Sequence, residues 1–197
     1  MGRENSLDLH EARLSASFVM TEKLHKFHDE CIMPHLQVGA PSGAPLMKNA
    51  IQLLTDDHKK IKSLLEELAN TSTRAVKKRA QLLDEVATML KIHTTIEEEI
   101  FYPAFKQAGN KDDAKTYFEA MEEHRAAGEL VLPDLMGTKP DSEQFSGRAK
   151  VLKELVVHHA DEEEEGMFKR AKSIFDKAAL DALGERMQAR KAQMLGE

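Results

Sequence analysis

From about residue 46 onward, apolar positions recur every three or four residues, the spacing of one face of an α-helix. Ile51, Leu54, Ile61, Leu65 and Leu68 mark the first stripe, with His58 inside it, and predict a helix from about Leu46 to Ala69. "NTST" breaks the pattern and offers an N-cap for a second helix from about Thr73 to Gln107, whose stripe holds Leu83, Val86, Leu90, His93 and Glu97. "AGNKDD" stops that helix, with Gly109 and Asn110 as C-cap residues. A third helix, about Asp112 to Met136, carries Tyr117, Met121, His124, Val131 and Leu135, and Pro133 predicts a kink or an end within it. After "GTKPDSEQ" a fourth helix runs from about Ser142 to Asp176 through Leu152, Leu155, His159, Glu163 and Met167, and "LDALGERMQARKAQML" adds a short terminal helix. Long helices joined by short turns predict an all-α, up-down-up-down four-helix bundle over residues 46–197. Residues 1–45 read as an extension, in which Leu14 to Ile32 has the pattern of an amphipathic helix and "GAPSGAP" that of a linker.

Composition agrees with helices rather than with a β-sandwich. Hydrophobic residues make up 41 %, enough for a core, while Trp is absent and Gly and Pro are sparse. The net charge of −6, with no evident basic face, argues against a binder of bare nucleic acid. Cys31 is the single cysteine, which excludes an intrachain disulfide and a cysteine-rich zinc or iron–sulfur site. No apolar run is long enough to cross a membrane and the N-terminus lacks the apolar stretch of a secretory signal, so a cytoplasmic location is expected.

A comparison of the chain with itself changes this picture. At a shift of 66 residues His58 falls on His124, His93 on His159 and Glu97 on Glu163. Flanking acids align too: Asp57 with Glu123, Glu98 with Glu164 and Glu99 with Glu165. Core positions follow, Leu65 with Val131, Val86 with Leu152 and Leu90 with Val156. The first helical hairpin therefore resembles the second, and two such hairpins packed antiparallel would have an approximate two-fold axis through the bundle centre. A shared helical period would align apolar residues without aligning three metal-ligating types.

His93 and Glu97 stand one turn apart on one helix face, as do His159 and Glu163, and His58 and His124 add an imidazole from each remaining helix. A carboxylate facing a bundle core is costly unless paired or bound to metal, and two together repel. Two cations would remove that repulsion. The ligands are best satisfied with His58 and His93 on one ion, His124 and His159 on the other, and Glu97 and Glu163 bridging. Imidazole and carboxylate without thiolate suit iron, manganese or zinc, and an oxygen-bridged pair favours iron. Taken singly, a core histidine is more often structural, and "EEEE" at 162–165 is usually a solvated face; it is the combination on four helices that points to metal.

The segments "AIQLLTDDHKKIKSLLEEL", "HTTIEEEIFYPAF", "MEEHRAAGELV" and "HHADEEEEGMFKRAK" resemble the hemerythrin-like HHE cation-binding family over roughly residues 46–195. The resemblance implies a four-helix bundle with a non-haem pair of iron ions joined by an oxo or hydroxo bridge, zinc or manganese being alternatives. It carries over His58 from the first helix, His93 and Glu97 from the second, His124 from the third, and His159 and Glu163 from the fourth. Family members bind dioxygen, sense oxygen, nitric oxide or iron, store or detoxify iron, or handle peroxide. The expected partners are such small ligands, with no nucleic acid and no membrane, and a homodimer is compatible with this reading. The expected role is therefore binding or sensing rather than catalysis, with a di-iron enzyme acting on peroxide or dioxygen, and a bundle with structural zinc, as alternatives.

One departure stands out. Oxygen-carrying members have two histidines four apart on the third helix, whereas the positions four before and four after His124 are Ala120 and Gly128. One ion lacks an imidazole, and water or Glu123 is open to fill its place. His158 with Glu162 competes with His159 and Glu163, but the 66-residue register favours the latter. Tyr102, near the second-helix motif, and Tyr117, on the third helix, read as core-packing residues, with an approach of either to the metals as the alternative. His25, His28, Cys31 and His35 in the extension fit a helix packed on the bundle or on a partner, with a weaker metal site as the alternative.

Overall fold

The computed structural model describes residues 48–196, so the readings made for the N-terminal extension, including His25, His28, Cys31 and His35, lie outside the described residues. Those described are helical throughout, with no strand among them. Helix α1 spans Ala50–Ala69 and is opened by a capping box, Asn49 accepting from the Gln52 backbone while the Gln52 side chain reaches back. Its neighbour is a long rod made of α2 (Val76–Ile96), a π-helical turn (Glu97–Phe101) and α3 (Tyr102–Ala108). The third rod joins α4 (Lys111–His124), a π-helical turn (Arg125–Val131) and α5 (Leu132–Met136). The fourth joins α6 (Glu143–Glu162), a π-helical turn (Glu163–Met167) and α7 (Phe168–Ile174). Helix α8 (Lys177–Leu195) follows, capped by Asp176.

These rods form the expected up-down-up-down bundle: α1 packs on α2 and α6, α3 on α4, and α6 on the π-turn of the third rod. Several boundary details differ from the sequence reading. "NTST" does not cap α2, which starts at Val76 behind Ala75 with no side-chain cap. Asn110 is not a C-cap but the N-cap of α4, in a capping box with Asp113. Pro133 does not end the third rod. It sits in the first turn of α5, where a missing N–H is tolerated, and the disturbance is absorbed upstream as the π-turn. No described helix is long and apolar enough to cross a membrane.

The buried apolar side chains fall into two clusters rather than one. One gathers Ile51, Leu54, Ile96, Phe101, Tyr102, Phe105, Phe168 and Met187, and the other gathers Ile61, Leu65, Val86, Leu90, Phe145, Leu152 and Val156. The interval between them is occupied by a polar layer. Helix α8 covers the first cluster, packing against α1, α2 and the adjoining π-turn. Its close approach to the start of α1 requires Gly184, because a Cβ there would stand 2.8 Å from the Ala50 backbone nitrogen. Once docked, α8 places Lys191 Nζ 2.7 Å from both Asp57 oxygens and Arg190 on Glu99.

At the far end of the second cluster, Arg79 is 1 % exposed. Its guanidinium donates to Thr71 Oγ1 (2.9 Å), Thr71 O (2.7 Å), Pro140 O (2.7 Å) and Ser146 Oγ (2.8 Å), and lies 5.0 Å from the Phe145 ring centroid. It clips together the turns that close both hairpins, and its donors satisfy turn carbonyls at Thr71 and Pro140. Replacing it with Met keeps the bulk but strands these part-buried acceptors. We expect Arg79→Met to lower unfolding stability by about 3 kcal/mol, read from a denaturant midpoint with unchanged slope.

Candidate metal centre

The polar layer between the two core clusters consists of His58, His93, Glu97, His124, His159 and Glu163, all buried. Each rod places its members by helical geometry. His93 and Glu97 are one turn apart at the end of α2, and His159 and Glu163 one turn apart at the end of α6. A π-helical turn begins at Glu97, at Glu163 and immediately after His124. Such turns widen the helix locally and commonly mark functional positions, and here they set the two carboxylates at the centre. Two of the three stand 66 residues apart, so the repeat extends to backbone shape.

The carboxylates reach across the repeat. Glu97 Oε2 lies 3.2 Å from His93 Nε2 on its own rod and 3.4 Å from His124 Nε2 on another. Glu163 Oε2 lies 3.7 Å from His159 Nε2 on its own rod and 3.1 Å from His58 Nε2 on α1. Each carboxylate thus faces one imidazole from each hairpin. Donor atoms of His58, His93, Glu97 and Glu163 lie within 4.8 Å of one another, as do those of Glu97, His124 and His159.

The opposite faces of the rings are held by the acids that the repeat aligned. His58 Nδ1 is 2.9 Å from Glu164, His124 Nδ1 is 2.8 Å from Glu98, and His159 Nδ1 is 2.7 Å from Glu123. Asp57, fixed by Lys191, stands 3.6 Å from His93 Nδ1. An imidazole whose Nδ1–H is donated to a carboxylate turns a lone pair on Nε2 inward, the arrangement typical of metal-ligating histidine. Glu123 is therefore engaged behind His159, not in the place left by the missing third-helix histidine. The signal for these acids lies in the aligned flanks, which do not tell which ring each one meets.

His158 also resolves in favour of the register. Its side chain is 63 % exposed and pairs outward with Glu162 at 3.3 Å. Tyr117 packs edge-on to Tyr102 beneath Lys106 and stays outside the polar layer. Tyr102 follows the alternative reading rather than the packing one. It is fully buried, and its hydroxyl donates to Glu163 Oε1 at 2.9 Å while standing 3.1 Å from His124 Nε2 and 3.3 Å from His159 Nε2.

The electrostatics show what this cluster lacks. Among the described residues, His58 Nε2, His93 Nδ1, both Glu97 oxygens and Glu163 Oε2 are buried with no aligned hydrogen bond. Burial pushes the His93 imidazole down to about 4, and burial with the neighbouring Glu163 charge pushes the Glu97 carboxyl well above the usual carboxylate range. Burial raises Glu163 too, but the imidazoles of His58, His159 and His93 outweigh it and hold Glu163 ionised. Burial would lower His159; Glu123 and Glu163 raise it instead. One acid carrying a proton beside one ionised acid is the compromise of two carboxylates sharing a site without a cation. Four imidazoles and two carboxylates converging on one buried layer, several of their atoms without a hydrogen bond, fit one or two divalent or trivalent ions of the iron, manganese or zinc kind.

A cavity of about 30 Å³ adjoins the four imidazoles. Its far wall is Ile61, Leu90, Ala127 and Val156, each three residues from a histidine of the same rod. That space suits a molecule of roughly two or three heavy atoms, with few polar groups to hold water. Thr94, His124 and Gly128 line both this cavity and a larger groove of about 750 Å³ on the outer side of α2 and the third rod. At the position related to Gly128 by the repeat, Lys62 closes the wall by pairing with Asp161 (2.7 Å) and Glu164 (3.2 Å).

Cation binding must displace the proton on Glu97, and part of any proton on His159. The free protein then holds more protons than the loaded one, so affinity rises with pH. We expect calorimetry in buffers of different ionisation enthalpy to show proton release, with affinity increasing about tenfold per pH unit for each proton lost. Glu97→Gln should leave the metal-free protein at least as stable, since an amide replaces an already protonated acid, yet abolish stabilisation by added metal in thermal melts.

Comparison with known proteins agrees with this geometry. The Hemerythrin HHE cation binding domain matches residues 49–171. Uncharacterized proteins of Mycobacterium tuberculosis and Mycobacterium bovis are each 29 % identical over 149 residues, covering 75 % of this chain and 88 % of theirs. The crystal structure of a hemerythrin HHE cation binding domain-containing protein from Mycobacterium kansasii superposes with a TM-score of 0.66 at 31 % identity, covering 76 % of this chain and 89 % of that one. The match spans all four rods and the whole polar layer, and the chain belongs to the hemerythrin HHE cation-binding domain family.

Proposed function

We propose that this chain holds a pair of iron ions and uses them to bind or sense a small ligand, dioxygen or nitric oxide, or iron itself. The observation that carries this reading is the placement of Glu97 and Glu163, each facing one imidazole of each hairpin. His58 and His93 would hold one ion, His124 and His159 the other, and the two carboxylates would bridge them. When bound, such a pair supplies Lewis acidity and one-electron chemistry toward diatomic ligands. The chain's own residues do the rest. Glu98, Glu164 and Glu123 fix the ring orientation, and the two apolar clusters exclude water. The cavity walled by Ile61, Leu90, Ala127 and Val156 sizes what reaches the imidazoles.

Anaerobic loading with ferrous iron, followed by air, tests this reading. We expect two irons per chain and the near-ultraviolet absorption of a coupled ferric pair, and both should be lost in His93→Ala and His159→Ala. A chain that takes up only zinc, or a single ion, would sink it. Turnover of peroxide well above that of free iron, lost in His124→Ala, would instead favour a di-iron enzyme.

The cavity gives a separate prediction. A Cβ at Gly128 meets nothing within 4 Å, so Gly128→Leu should fold normally and take up iron as before. It fills the opening shared by cavity and groove, so nitric oxide should bind the loaded protein about tenfold more slowly or worse by stopped flow. Lys62→Met, on the opposite wall, should not slow it.

A further inference from the structure

A third group of ligand-type side chains lies outside the polar layer. Glu123, His158 and Glu162 bring donor atoms within 4.8 Å of one another at the surface of the third and fourth rods. His158 Nε2 is 3.3 Å from Glu162 Oε1 and 3.8 Å from Glu123 Oε1. Glu123 spans two neighbouring histidines, because its other oxygen is the one 2.7 Å from His159 Nδ1. The outer group therefore shares a residue with the support of the central layer.

A small cavity of about 20 Å³ runs inward from this group. Glu119, Glu123 and Glu162 line it toward the surface, and His159 and Glu163 line it from within. It has room for one water-sized particle. Glu163 is 2 % exposed, and its Oε2 has no hydrogen bond. Among the described residues, no lysine or arginine pairs with Glu119, Glu123 or Glu162, so this acidic passage has no counter-cation of its own.

The repeat shows that the other half is built differently. Sixty-six residues before Glu119, His158 and Glu162 stand Leu53, Ile92 and Ile96. Leu53 and Ile96 are buried in the first apolar cluster with Leu183 and Met187 of α8. Asp57, the counterpart of Glu123, is neutralised by Lys191 of the same helix. One side of the metal layer is thus sealed by α8, and the other is left acidic and exposed.

Building on the metal reading above, we propose that Glu123, His158 and Glu162 form a second cation site, which captures a divalent metal ion at the surface and passes it through this cavity to the central layer. One imidazole and two carboxylates suit ferrous, manganous or zinc ions, and water fills the remaining positions. Three like-charged acids along the passage concentrate cations at its mouth.

The test uses the full chain in two measurements. In the first, the centre is filled with zinc, which manganese does not displace by affinity order, and manganese(II) is added and counted by electron paramagnetic resonance. We expect one further ion per chain, lost in His158→Ala and in Glu162→Gln. In the second, metal-free chain is mixed anaerobically with ferrous iron and uptake is followed by stopped flow. Both variants should load about tenfold more slowly, yet reach the wild-type iron content. Glu154→Gln removes an equally exposed acid of the same rod and should load at the wild-type rate. Manganese bound equally well by both variants, or loading that is not slowed in either, overturns the entry site and leaves the metal pair standing. Slower loading with a lower final iron content also overturns it, because that result marks damage to the centre. A wild-type chain that takes up no paired metal overturns the metal reading and the entry role with it.

Discussion

Burying Glu97 and Glu163 in one layer of a helix bundle removes two carboxylates from water, at an effective cost of several kcal/mol for each ion. Everything near that layer acts to offset the cost. Four imidazoles face the carboxylates, and four further acids stand behind the imidazoles. Without a cation the cluster settles by keeping Glu97 protonated and leaving several buried atoms unpaired. Cations fit this arrangement, because positive charge would meet the paired carboxylates and the buried atoms that have no hydrogen bond. The core is split in two for the same reason, since apolar side chains cannot occupy the layer the carboxylates need.

The rest of the fold supplies the rigidity that such a layer demands. Arg79 ties the hairpin turns at one end, and α8 closes the other, sending Lys191 to Asp57 and through it toward His93. The π-turns at Glu97, after His124 and at Glu163 are departures from regular helix, and they lie against the polar layer, where packing over-determines them. Stability is given up locally and recovered in the apolar clusters on either side.

The approximate two-fold symmetry matters most where it fails. The imidazoles, the two central carboxylates and the backing acids obey it. Tyr102 against Phe168, and Gly128 against Lys62, break it. The first difference places a phenol in one half of the site, and the second leaves one wall open toward the outer groove while a salt-bridged lysine closes the other.

The sequence by itself determined the helices, the antiparallel bundle and the six residues of the polar layer. Helical periodicity and ligand identity are local properties, and the 66-residue repeat projected them onto one axis. It also held the backing acids as aligned flanks, without partners. Only the tertiary structure decided that Glu123 stands behind His159, that Asn110 opens a helix rather than closing one, and that Arg79 belongs to the interior. Only it took Tyr102 out of simple packing, because the direction of a hydroxyl at the end of an aromatic ring depends on how four rods meet. The periodicity that makes a tyrosine look like core does not distinguish a ring that fills space from one whose oxygen lies among imidazoles.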